Sequence, residues 1–85
     1  MLQNLRHVIK LMFKYERTYV SIDIHEVNRI EVRFDAQQSH VFKTSVEAVN
    51  HISDGLKMDA ESYTLVEKMV KEFVGTLTSI GTLNS

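Results

Sequence analysis

Four histidines, His7, His25, His40 and His51, are the side chains of this 85-residue chain best suited to moving protons or holding a metal ion. Their spacing matches no metal-ligand pattern. His25 stands beside Glu26, but the linear sequence supplies no third member for a catalytic set. With no Cys, a thiolate metal site, a disulfide framework and a Cys nucleophile are all excluded. The only glycines, Gly55, Gly75 and Gly81, are isolated and late, so there is no phosphate-cradling loop. A chain this short also encloses a deep pocket with difficulty. The expectation is therefore no catalytic residue, no metal site, no cofactor and no enzyme activity.

Binding chemistry is better represented. Arg6, Lys10 and Lys14 recur every four residues, with Arg17 just beyond and Glu16 the lone acid of the first 17 residues. On a helix these cations form one ridge, a contact strip for phosphates or for an acidic protein. The same ridge also serves simply to solvate the outer side of a helix laid on a core. The whole chain carries 10 Lys and Arg against 11 Asp and Glu, a formal net charge of −1, which is not the balance of a dedicated nucleic-acid binder. No stacking array or helix-turn-helix pattern accompanies the ridge. Tyr19, Arg29 and Arg33 are candidate protein-binding residues of a second surface, since Arg and Tyr combine large area with directed hydrogen bonds. Met69 and Val74 are candidates on a third, where apolar residues of the last helix spread wider than one sheet contact needs.

The elements that position these residues follow from hydrophobic period. Leu5, Val8, Ile9 and Met12 have helical spacing and predict an amphipathic helix over about 2–14. From Thr18 the period becomes two. Val20, Ile22 and Ile24, then Ile30, Val32 and Phe34, alternate with polar residues and predict an antiparallel pair joined through His25–Asn28. A short third strand is expected at His40–Lys43 with Phe42 inward. Thr44 and Glu47 fit a capping box, followed by the stripe Val46, Val49, Ile52 and by Gly55 as a left-handed terminator. Asp59 is the expected N-cap of a last helix running to about Ile80, closed by Gly81. Glu67 with Lys71, and Lys68 with Glu72, are spaced for ion pairs on its wet side.

The sum is an α+β two-layer sandwich in α-β-β-β-α-α order, a three-stranded meander covered on one face by helices, with residues 1–81 as one domain and 82–85 as a frayed tail. Hydrophobic residues at 44% support a packed core. The longest apolar run near the start, Leu11-Met12-Phe13, is too short for a signal peptide or a membrane span, so a cytoplasmic location and no membrane partner are expected. In length and element order the chain looks like some small phage-encoded inhibitors of CRISPR nucleases, the type II-A anti-CRISPR proteins. That likeness is one of layout and implies a phage-type inhibitor. Such inhibitors are often strongly acidic because they imitate DNA, whereas this chain is nearly neutral. The expected function is a small non-enzymatic protein-interaction module that docks on a larger partner or forms a homodimer. A nucleic-acid-associated regulator using Arg6, Lys10, Lys14 and Arg17 is the alternative.

Overall fold

Strand pairing decides the fate of the first apolar segment. The computed structural model describes residues 9–83, with side chains described through Thr78. Where a helix is expected it has a strand, β1 (Ile9–Tyr15), followed by β2 (Thr18–Glu26), β3 (Arg29–Phe34), β4 (His40–Phe42), α1 (Ser45–Leu56) and α2 (Ala60–Leu83). The α+β class is as expected, but over the described residues the order is β-β-β-β-α-α and the meander has four strands, β1-β2-β3-β4, all antiparallel. The resemblance in layout to anti-CRISPR inhibitors rests on an element order that the described residues, which begin with a strand, do not follow.

The reason lies in two periods written over the same residues. Ile9, Leu11, Phe13 and Tyr15 alternate as cleanly as Leu5, Val8, Ile9 and Met12 follow a helix. The strand lets all seven residues of β1 pair with β2, from Ile9 opposite Ile24 to Tyr15 opposite Thr18. Tyr15-Glu16-Arg17, where the helical period breaks, contains the hairpin turn. Glu16 takes a left-handed φ of 56° there without the Asn or Gly that usually announces such a turn. Leu2, Leu5, Arg6, His7 and Val8 lie outside the described residues.

The helices cover one face of the sheet, with α1 against β3 and β4 and α2 against α1 and β2. Between the layers Val20, Ile22, Ile24, Ile30 and Val32 meet Ala48, Val49, Ile52, Val66 and Val70, all buried. The inward residues of β1 pack on this cluster but stay half-buried, because the helices are centred over the other strands. Phe42 points inward opposite Ile30, as expected, and Val41 outward.

The helix ends show where local rules held. Thr44 accepts from the Glu47 N–H at 3.1 Å and donates to the Glu47 carboxylate at 3.0 Å, so the capping pair forms through side chains. Asp59 accepts from the Ser62 N–H at 3.2 Å and caps α2. Val46, expected in the buried stripe, is exposed, and Ala48 takes its place. Gly55 does not end α1. Lys57 adopts the left-handed conformation, φ 53° and ψ 50°, and the Met58 N–H donates to the Ser53 carbonyl at 3.1 Å. Gly55 answers a different demand, since a Cβ there would come within 2.9 Å of the Phe34 ring. Helix α2 runs past Gly81 to Leu83, so Thr82 and Leu83 are helical. Asn84 and Ser85 are outside the described residues.

Candidate functional site

The face of the sheet turned away from the helices carries the polar residues that alternate with the core positions of β2 and β3. Alternation places Tyr19, Ser21, Asp23 and His25 of β2 on it, with Glu31 and Arg33 of β3. The register sets Lys10 and Glu31 on either side of Asp23, and Met12 and Arg33 on either side of Ser21. The register slips between Ile24 and Glu26, so His25 is the extra residue of a β-bulge just before the turn Val27-Asn28. Bulges bend a strand and re-aim side chains. Here His25 Nε2 lies 2.9 Å from Glu31 Oε1. On the other side of the carboxylate, Ser39 Oγ donates to Glu31 Oε2 at 2.6 Å. The Ser39 hydroxyl and then the His25 ring hold the Glu31 carboxyl below its ordinary range.

Asp23 completes the group. It offers a ligand atom that, with one each from His25 and Glu31, falls in a set spanning no more than 4.8 Å. Its Oδ1 is buried and has no hydrogen-bond partner. A shallow pocket of about 200 Å³ opens here, lined by Lys10, Ser21, Asp23, Glu31, Arg33 and Ser39. The order Ser39–Glu31–His25 is not that of a nucleophile–base pair. The hydroxyl is spent on the carboxylate and makes no hydrogen bond to the imidazole.

A second histidine group lies on the helix side. His51 stacks on Phe34 with ring centres 5.2 Å apart and meets His40 at 5.0 Å and Phe42 at 4.9 Å. Burial, then the charge of His40, pushes the His51 pKa below its ordinary value. Its Nε2 is buried without a partner. These aromatic contacts make the pair His40–His51 part of the packing between β4 and α1.

The third surface is on α2. Val66, Val70, Val74 and Leu77 serve the core. One step round the helix, Leu65, Met69 and Phe73 form a ridge at four-residue spacing, with Leu65 62% and Phe73 36% exposed. Together with Lys68, Glu72 and Thr76 they line a pocket of about 360 Å³. Glu67 and Lys71 pair at 3.5 Å as their spacing implies. Lys68 and Glu72 border the apolar ridge instead.

The sequence candidates are thus dispersed. Tyr19 and Arg33 share the open sheet face, where Lys14 Nζ sits 5.1 Å from the Tyr19 ring centre. Arg29 is exposed at the start of β3, opposite Glu26. Met69 belongs to the ridge, whereas Val74 is packed against the core. The helical basic ridge does not form as a unit. Lys10 and Lys14 are on β1 beside Asp23 and Tyr19, Arg17 is in the following turn, and Arg6 lies outside the described residues. The cluster of Asp23, His25 and Glu31 is absent from the linear reading. Asp23 and His25 stand two apart in an alternating strand, which is a signal for one face, but only the hairpin register brings Glu31 to them.

Searches for relatives found no family model, no curated protein and no solved structure that matches this chain. Among the described residues no helix is long and apolar enough to cross a membrane.

Proposed function

We propose that this chain is a non-enzymatic protein-binding module that docks through the Leu65–Met69–Phe73 ridge of α2, seating it against an amphipathic helix of a protein partner. The observation that carries this reading is the double stripe of α2. One stripe is consumed by the core, and the second is apolar and in register along two turns, with Leu65 and Phe73 exposed at its ends and Met69 half-buried between them. Anchors repeating along one helical face are how helices recognise grooves and one another. Lys68 and Glu72 flank the ridge with opposite charges, which suits an antiparallel helix carrying the same arrangement, a second copy included. Regulation or inhibition of a larger partner would follow from occupying its helix-binding surface. The nucleic-acid alternative has less support, because Lys10 and Lys14 share their sheet face with Asp23 and Glu31.

The test combines two measurements on wild type and on Leu65→Lys and Phe73→Lys. Sedimentation over a range of concentrations reads self-association. Capture from source-cell lysate, with and without nuclease, reads other partners. A complex that survives nuclease and is lost in both ridge variants is the expected result. A strict monomer with no capture dependent on Leu65 and Phe73 overturns the proposal.

A further inference from the structure

The open face of the sheet holds two carboxylates where cross-strand pairing would place opposite charges. Asp23 and Glu31 are direct register partners. Like charges in that position are destabilising unless something positive stands between them. Two cations are at hand, Lys10 across from Asp23 and Arg33 in the same pocket, yet neither forms an ion pair with either acid in the structure. The Asp23 Oδ1 is left buried and unpartnered, a costly condition for a polar group and more so for a charged one.

We propose that Asp23, His25 and Glu31 bind a divalent transition-metal ion, with zinc the ion best matched to one imidazole nitrogen and two carboxylate oxygens. Imidazole nitrogen and carboxylate oxygen are both zinc donors, and three protein ligands leave a fourth position open. Ligands about 2.1 Å from zinc stand about 3.4 Å apart in a tetrahedron. His25 Nε2 and Glu31 Oε1, at 2.9 Å, are already close to that separation, and a ligand atom of Asp23 lies within 4.8 Å of the other two. The bulge at His25 sets the imidazole beside Glu31, and Ser39 holds the second Glu31 oxygen, as outer partners commonly do for metal-binding carboxylates. The imidazole would coordinate through Nε2 with its proton on Nδ1. The site lies on the opposite layer from the α2 ridge, so the two proposals stand or fall separately.

Calorimetric titration of the purified full chain with zinc chloride, followed by histidine and backbone NMR signals, tests this. One zinc ion per chain with micromolar or tighter affinity is expected. His25→Ala, Asp23→Asn and Glu31→Gln should each weaken binding at least tenfold. All three point outward, and circular dichroism checks that each variant is folded. His40→Ala and His7→Ala should leave the affinity within twofold. Lys10→Met should tighten it several-fold at low salt by removing a competing cation. Magnesium should bind at least tenfold more weakly, because it favours an all-oxygen shell. Absence of saturable zinc binding, affinity unchanged in Asp23→Asn and Glu31→Gln, loss of binding in His40→Ala or His7→Ala, or equal affinity for magnesium overturns the assignment.

Discussion

The two faces of one sheet follow different rules. On the inner face Val20, Ile22 and Ile24 of β2, with Ile30 and Val32 of β3, have no solvent exposure and belong to one cluster with buried residues of both helices. On the outer face, one residue away along the same strands, Ser21, Asp23, Glu31 and Arg33 line a shared pocket, and Glu31 is held by hydrogen bonds from His25 and Ser39. The inner face is specified by hydrophobic burial, which is non-directional and tolerant of detail. The outer face is specified by register, bulge and hydrogen bonding, so a slip of one residue there would rebuild the chemistry completely. Stability lives on one side, and functional possibility on the other.

The largest test of that contrast is a pair of neighbours. Ile22→Ala should lower unfolding free energy by about 2–5 kcal/mol, read by chemical denaturation, because it opens a cavity between sheet and helices. Ser21→Ala, on the outer side, should stay within about 0.5 kcal/mol of wild type. Similar losses for both would show that the outer face is part of the core energetics and would end the comparison.

Two of the helical glycines, Gly55 and Gly75, sharpen it within the helical layer. Gly75 has nothing within 4 Å of an added Cβ, so Gly75→Ala should stabilise by about 0.5–1 kcal/mol through helix propensity alone. Gly55→Ala makes the same backbone gain but presses on the Phe34 ring, which is already stacked on His51. It should be destabilising by about 1 kcal/mol, within the usual range for overpacking. Thermal melts of the two variants should move in opposite directions.

The smallest effect expected is on pH. The His51 pKa is lowered in the fold, so the unfolded chain binds the proton more readily. The contribution of this residue is fully present above the ordinary histidine value of 6.5 and is lost as pH falls through the lower folded value. His51→Phe, which keeps a ring against Phe34, should flatten stability in that interval. Glu31 adds a second decline in more acid solution. Its lowered pKa favours the fold above the ordinary value of 4.5, and that contribution fades as pH falls through the folded value. Glu31→Gln should remove this second decline and leave the first. The opposite assignment of the two acid limbs would place the coupled histidine on the outer face.

Period-two alternation over residues 18–34, the short strand with Phe42 inward, and the caps at Thr44 and Asp59 were all legible, because each rests on neighbours a few residues apart. The first strand was not. Residues 9–15 satisfy helical and strand periods together, and the turn at Glu16-Arg17 lacks the usual turn residues, so the choice rested on whether β2 offered a free edge. The role of Gly55 is hidden from the sequence for a related reason. Its sequence position suits a cap, but what requires glycine is the approach of Phe34 from a distant strand.

By itself the sequence determined the α+β class, the inner face of the central hairpin and the absence of cysteine chemistry, since these depend on composition and on short-range spacing. Only the tertiary structure decided that Asp23, His25 and Glu31 converge and that Leu65, Met69 and Phe73 are left over once the core is filled. Both outcomes depend on pairing register and on which helical stripe meets the sheet. Those are set by contacts between residues far apart in the chain, and no local pattern encodes them.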